Sequence, residues 1–347
     1  MNKKEIKNTL LKTRREVQII DEEYVREAFY LNNCLKSFST LTNNVDIFFA
    51  KTNLAQNSVV ANEKGIAIVW DTNYWNYFSQ YASIFRIPED NSENELKHLM
   101  YSFLQEKYSH FPRLSNILQE YIDIYGKKRK TAAPNEVYKA AQIIALYHEI
   151  GHIILVKDPQ HRNYCYNEVY CIMTLFFEHL SRERDTMINI DTMQEFVKDN
   201  MDIVEELAAD YFAIKEFVPI IDDGDSTYIS RIRKILDVFF YSTNFNSLKN
   251  EIEQQWERFL PMMISKGINR PIKYVQNNSN LLKNYLGFWM MAYRLFEYYS
   301  SCEKEIWLEW GPTIEYYSKV FNKWTDSLFD LTYEEDIRLI ILRSRRL

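Results

Sequence analysis

Two of the chain's six histidines lie four residues apart in a largely apolar stretch, "ALYHEIGHIIL", which runs from Ala145 to Leu155. Positions i and i+4 share one face of a helix, so His148 and His152 present two imidazole nitrogens to the same point. That spacing lets both bind one Zn²⁺ at about 2.0–2.1 Å. Glu149 lies about 100° further round the helix, where it can take a proton from water in an open coordination position. The stretch therefore predicts zinc hydrolase chemistry.

A third metal ligand is expected elsewhere, because catalytic zinc sites normally take three protein ligands and leave the fourth position to water. The segment 204–217, "VEELAADYFAIKEF", supplies candidates. Glu206 and Asp210 are again four residues apart, and the small Ala209 on the same side would let this helix approach the first one closely. A ligating histidine usually donates its other ring N–H to a carboxylate, a role that suits Asp210. Glu205 is the competing ligand, but no acid follows it four residues later.

The first motif alone leaves a chance alternative open, since HExxH patterns occur without metal and a core histidine can be satisfied without it. The two motifs together, HExGH at 148–152 and ExxAD at 206–210, resemble the zincin metallopeptidases of the glutamate-ligand (gluzincin) type. The resemblance implies that Glu206 is the third zinc ligand and that Asp210 supports a zinc-binding histidine. It also implies peptide-bond hydrolysis, with the strand "GIAIVWD" as the family's edge strand, which aligns the substrate backbone by β-addition.

The order of elements carries a narrower resemblance. A small sheet, then "VWDTNYW", then HEIGH, in a mostly helical, aromatic-rich chain, is similar to the Lit-type phage-exclusion peptidases, which cut a host translation factor to abort infection. This implies a phage-defence protease with a protein substrate. The ImmA-type regulator-cleaving peptidases also combine HExxH with a later acidic helix, but their chains are usually compact. A non-catalytic, zinc-stabilised helical scaffold that binds a partner is the alternative from another functional class.

The elements that must position these residues are mostly helical, because only 7 Gly and 8 Pro interrupt 347 residues. Short β-branched and aromatic runs within 45–71, separated by polar turns, predict a small, mostly antiparallel sheet of three strands. Apolar spacing and cap signals predict helices near 3–36, 73–85, 92–110, 113–125, 134–157, 168–184 and 192–217, with a polar loop at 158–167 and a stop at Pro219. The predicted fold class is α+β, predominantly helical.

Two regions follow from this pattern. Residues 1–222 are predicted to form a zincin-like metallopeptidase domain, whose active site lies between the helices near 134–157 and 192–217. Residues 223–347 are predicted to be an all-helical, aromatic-rich C-terminal region. Trp and Tyr favour interfaces, so this region, with Trp289 and Trp307, is a candidate surface for a protein partner, although core packing explains the same spacing.

Composition excludes several other classes. A net charge of −6 offers no general attraction to nucleic acid. Four scattered cysteines without a CxxC pair indicate free, structural thiols in a reducing compartment. No membrane-length apolar segment, secretory signal, glycine-rich phosphate loop or serine nucleophile motif is visible. The sequence therefore predicts a cytoplasmic protein that binds neither membranes nor nucleic acid. The cysteines are Cys34, Cys165, Cys171 and Cys302.

The remaining histidines and one tyrosine were considered for further chemistry. His161, His179 and Tyr211 are candidates to stabilise a tetrahedral oxyanion, although surface or packing roles explain each of them more simply. His98 and His110 lie in a polar amphipathic segment, which predicts surface positions.

Overall fold

The computed structural model describes residues 1–14, 16–38, 45–52, 55–84, 98–99, 101–106, 109, 112–124, 135–184, 198 and 201–221. Over these ranges the chain is mostly helical with one small sheet, so the predicted α+β class is confirmed. The predicted C-terminal region 223–347, with its candidate partner surface at Trp289 and Trp307, lies outside the described residues, as do Cys302 and His110. None of the described helices is long and apolar enough to cross a membrane.

The sheet has four strands in the order β1-β2-β4-β3 and is mixed. β2 pairs with β4 in parallel, whereas the β1–β2 and β3–β4 pairs are antiparallel. Two of the three strand pairs are therefore antiparallel, and the sheet has one strand more than predicted. The elements of this part of the chain are α1 (Lys3–Leu10), β1 (Val17–Ile20), a 3-10 turn (Glu22–Tyr24), α2 (Ala28–Ser37), β2 (Val45–Thr52), β3 (Ser58–Asn62) and β4 (Gly65–Asp71).

The additional strand, β1, falls inside the segment 3–36 that was predicted to be one helix, and that prediction is wrong. Val17 and Ile20 are three residues apart, which suits a helix, but they pair with Thr52 and Phe49 of β2 instead. Helical spacing over so few residues cannot show that a strand about thirty positions downstream will pair with this segment. α1 packs its buried face, formed by Ile6 and Leu10, against the sheet core.

β4 is an interior strand, so the prediction that "GIAIVWD" forms the edge is wrong. The tight turn at Asn62–Gly65 folds β3 back onto β4, and Gly65 takes a φ of +144° that side chains rarely adopt. β2 pairs with β4 on its other side, and every residue from Ala67 to Asp71 is buried. β3 therefore forms one edge of the described sheet and β1 the other.

The later helices agree with the predicted ones in three places and differ in two. α3 (Thr72–Ile84), α4 (Pro112–Ile124) and α5 (Asn135–Lys157) begin and end within a residue or two of prediction, whereas α6 (Pro159–Arg184) replaces the predicted loop at 158–167 and α7 (Met201–Ile221) runs past Pro219. Asp158 alone separates α5 from α6. Its carboxylate accepts the backbone N–H groups of Gln160 and His161 at 2.9 and 3.1 Å, which caps α6 without a loop.

The chain divides into two compact units. Of the described residues, the first unit contains those of 1–76 and 135–221, and hence the sheet and α5–α7. The second contains those of 77–124, including α4. The predicted domain boundary near 222 falls at the end of the described residues and stays a prediction.

His98 belongs to the second unit and is buried, so its predicted surface position is wrong. Its Nδ1 lies 3.2 Å from the carbonyl oxygen of Ile122, and that bond accounts for one polar atom of the ring. Tyr101 and Tyr121 stack in the same unit with ring centroids 5.2 Å apart. The surface prediction was based on the polar residues around His98 in sequence, but one face of this segment is buried.

Candidate metal centre

α5 carries the HEIGH residues through the middle of the first unit. It packs along α7 on one side, touches α2 and α6, and contacts β3 and β4 of the sheet. A helix surrounded in this way is apolar on more than one face, as the sequence indicates. Its fully or nearly fully buried apolar residues include Ala141, Ile144, Leu146, Ile150, Ile153 and Ile154.

The contact between α5 and α7 is closest at Gly151. A Cβ added there would lie 3.1 Å from both the Cα and the carbonyl oxygen of Ala209, and 3.3 Å from the ring of Phe212. Even a methyl group at position 151 would therefore push the two backbones apart. This confirms the close approach predicted from Ala209, and it explains a glycine that costs about 1 kcal/mol of helix stability relative to alanine.

The close approach brings three predicted ligands together. His148 Nε2 lies 3.1 Å from His152 Nε2, and the Glu206 carboxylate oxygens lie 3.5 Å from His148 Nε2 and 3.8 Å from His152 Nε2. One donor atom from each of these residues lies within 4.8 Å of the others. Two ligands bound tetrahedrally to zinc at about 2.0–2.1 Å are about 3.3 Å apart. The donor types and their spacing therefore fit Zn²⁺.

Asp210 lies behind His148. Its Oδ1 accepts a hydrogen bond from His148 Nδ1 at 2.8 Å, which leaves the lone pair of His148 Nε2 directed at the other two donors. Burial lowers the pKa of His148, but Asp210 and Glu206 together raise it more, so that the pKa lies well above its ordinary value when no metal is present. A proton and a metal ion therefore compete for this imidazole.

Glu149 faces the same centre from one residue along α5. Its side chain is only 6% exposed, and burial raises its pKa to about 7 despite the opposing charges of His148 and Arg14. A carboxyl group whose pKa lies near neutrality is well matched to general acid–base work at physiological pH.

The donors open onto a cavity of about 420 Å³. The cavity is lined by residues of α5, by Glu206 of α7 and by the segment 56–59, which forms one wall and leads into β3. α6 and α7 complete the rim with Arg162, Tyr166 and Glu205. The three donor side chains are 17%, 25% and 44% exposed, so water can reach them.

Glu205 lines this cavity but is directed elsewhere. It is exposed, and its Oε1 accepts a hydrogen bond from the Tyr166 hydroxyl at 3.4 Å. Of the two neighbouring glutamates, it is Glu206 that the structure groups with the imidazoles. The ligand role itself stays a prediction for either residue.

Two of the three residues proposed for oxyanion stabilisation, Tyr211 and His161, are not among the residues that line the cavity. Tyr211 is buried, and its hydroxyl donates to the Tyr164 hydroxyl at 3.0 Å. His161 faces Asp158 at the start of α6, with Nδ1 3.6 Å from Oδ2. The side chain of His179 lies outside the described part of the chain.

The sequence reading missed Arg162 and Tyr166, which do line the cavity. Their spacing of four residues would have placed them on one helix face. This helical spacing did not lead to a prediction, because the segment 158–167 was expected to be a loop.

The described cysteines take no part in this centre. Cys34, Cys165 and Cys171 form no disulfide with one another; Cys165 is buried and Cys171 is exposed. None of them belongs to the donor group that the described residues form.

Comparison of the chain with protein family models, curated proteins and solved structures finds no match. The resemblance to gluzincins therefore rests on the two short motifs and their order in the chain.

Proposed function

We propose that the chain is a zinc-dependent metallopeptidase that hydrolyses a peptide bond in a protein substrate. The observation that supports this most directly is the convergence of His148, His152 and Glu206, contributed by two separate helices. A buried acid beside them and a carboxylate behind one imidazole complete the set that such chemistry needs.

Each residue has a distinct part in this proposal. His148, His152 and Glu206 hold the zinc, which when bound supplies Lewis acidity and lowers the pKa of water to about 7. Glu149 accepts a proton from the attacking water and returns it to the leaving amine. Asp210 keeps His148 in the tautomer that presents Nε2 to the other donors.

β3 gives the proposal its substrate class. Among the described residues it pairs with β4 along one side only, and its first residues, Ser58 and Val59, line the cavity. An extended segment of another protein can add to such an edge through main-chain hydrogen bonds, with pockets reading alternate side chains. The expected substrate is therefore an extended stretch of polypeptide beside β3, rather than beside β4.

The biological setting that we propose is defence against phage by abortive infection in the cytoplasm. It rests on the resemblance in element order to the Lit-type peptidases. Cells that carry the wild-type gene should restrict phage, whereas cells that carry Glu149→Gln should not. Equal restriction by both would favour the non-catalytic scaffold.

Metal content tests the chemistry before a substrate is known. Purified wild-type protein should contain zinc by elemental analysis, and His148→Ala should not. Glu149→Gln should retain zinc but lose hydrolysis, because the carboxylate is not among the donor atoms. Zinc-free wild-type protein that also fails to take up added zinc would refute the proposed function.

A further inference from the structure

We propose that the buried Arg14–Asp71 pair is a positioning device. It holds the segment 56–59, a wall of the cavity that the predicted zinc ligands also line, so that a substrate strand can dock on it. The inference rests on the proposed peptidase function and adds two residues to its machinery. Neither side chain lines the cavity, so neither is assigned contact with substrate.

Arg14 lies between α1 and β1 and is only 6% exposed. One guanidinium nitrogen, Nη2, donates to the backbone carbonyl of Gln56 and to the hydroxyl of Ser58, both at 3.0 Å. The other, Nη1, donates to Thr52 Oγ1 at 3.3 Å. The planar guanidinium group of Arg14 therefore connects the end of β2 with the start of β3 through its hydrogen bonds.

Asp71 holds the same wall from the end of β4, where it is fully buried. Its carboxylate accepts the backbone N–H of Gln56 at 3.3 Å and that of Asn73 at 2.9 Å, and it lies 3.7 Å from Arg14 Nη1. Its own N–H donates to Asn57 Oδ1 at 2.9 Å. Gln56 is thus held by both backbone polar groups, through its C=O by Arg14 and through its N–H by Asp71.

The held segment includes a conformation that needs support. Ala55, immediately before Gln56, has a φ of +49°, a left-handed conformation that is unfavourable for a residue with a Cβ. Ala55 is fully buried as well. The two charged side chains compensate for this local strain and keep the wall in one arrangement.

Stability alone does not explain the pair. Replacing a buried ion pair by apolar residues is often neutral or even stabilising, because both charges lose their hydration. The pair is instead placed where it specifies the geometry of one short segment. That segment lines the same cavity as His148, Glu149 and His152.

The first test is amide hydrogen exchange on the zinc-loaded full chain. Arg14→Met should speed exchange at 55–59 by about tenfold or more, while the amides of 148–152 change by less than about twofold. The matched control is the exposed ion pair Lys3–Asp21. Lys3→Met should leave both segments as in the wild type.

Because Arg14→Met leaves Asp71 buried without a counter-charge, Arg14→Lys serves as the second variant. It keeps the positive charge but cannot reproduce the fork, so exchange at 55–59 should still rise by about threefold or more. Exchange in both variants within about twofold of wild type would overturn the inference.

The second test is hydrolysis of a pooled random-sequence peptide library, followed by mass spectrometry. With zinc content unchanged, Arg14→Lys should raise KM for individual cleaved peptides by about fivefold or more and change kcat by less than about twofold. A loss in kcat alone would contradict a positioning role for docking. Absence of all cleavage by zinc-loaded wild-type protein would refute the peptidase proposal, whereas the exchange result would still decide whether the pair holds the wall.

Discussion

Replacing Glu149 by Gln should stabilise the metal-free protein at neutral and alkaline pH. Glu149 is 6% exposed, and burial, its largest influence, raises its pKa from 4.5 to about 7. The folded state therefore disfavours the ionised carboxylate relative to the unfolded chain. Gln has nearly the same shape and cannot ionise, so the variant avoids that cost.

The magnitude and the sign follow from the two pKa values. Between pH 4.5 and about 7 the folded state keeps a proton that the unfolded state releases, so stability falls as pH rises through this window. Each unit of pKa difference corresponds to about 1.4 kcal/mol. Ionisation of Glu149 therefore destabilises the folded state by at most about 3 kcal/mol, a value that is reached at pH values above the folded-state pKa. The variant should thus be more stable by about 3 kcal/mol at about pH 8, but by less than about 1 kcal/mol at about pH 5.

Urea denaturation of metal-free protein, with a chelator present, measures both values. The matched control is Glu205→Gln, an exposed carboxylate on the same cavity rim, which should change stability by less than about 0.5 kcal/mol at either pH. Added zinc should reduce the advantage of Glu149→Gln, because a nearby cation favours the carboxylate. A variant no more stable than wild type at about pH 8, or equally stabilised at both pH values, would refute the reasoning.

Three further predictions concern the metal centre and its support. Asp210→Asn should weaken zinc binding by about 10–100-fold in a chelator competition, because His148 loses its charged acceptor. Glu206→Gln should weaken zinc binding strongly and Glu205→Gln by less than about threefold; the reverse order would reassign the ligand. Gly151→Ala should cost about 1–3 kcal/mol in urea denaturation by separating α5 from α7, and unchanged stability would contradict the close contact.

Much of the candidate site was predictable because helix geometry is local. Once 135–157 is a helix, His148 and His152 must share a face, whatever surrounds them. The same holds for Glu206 and Asp210 on α7. Ala209 also indicated where the two helices could approach closely, since a small side chain leaves room for a neighbouring backbone.

The errors share a physical cause, which is that pairing partners lie far away in sequence. Val17–Ile20 forms a strand because it pairs with β2. The segment 65–71 is an interior strand because β2 and β3 pair with its two sides. Likewise, Arg162 and Tyr166 were not predicted to line the cavity, because the segment that was expected to be a loop is helical after the single capping residue Asp158. Local patterns rank such alternatives only weakly.

By itself, the sequence determined the kinds of donor atoms available and which of them share a helical face, because composition and the 3.6-residue period are properties of the chain alone. Only the tertiary structure decided that a carboxylate from α7 lies beside two imidazoles from α5. It also decided that Arg14 and Asp71 contact the segment 56–59, which lines the same cavity. Those meetings depend on contacts between residues tens of positions apart, and these form only when the elements pack together.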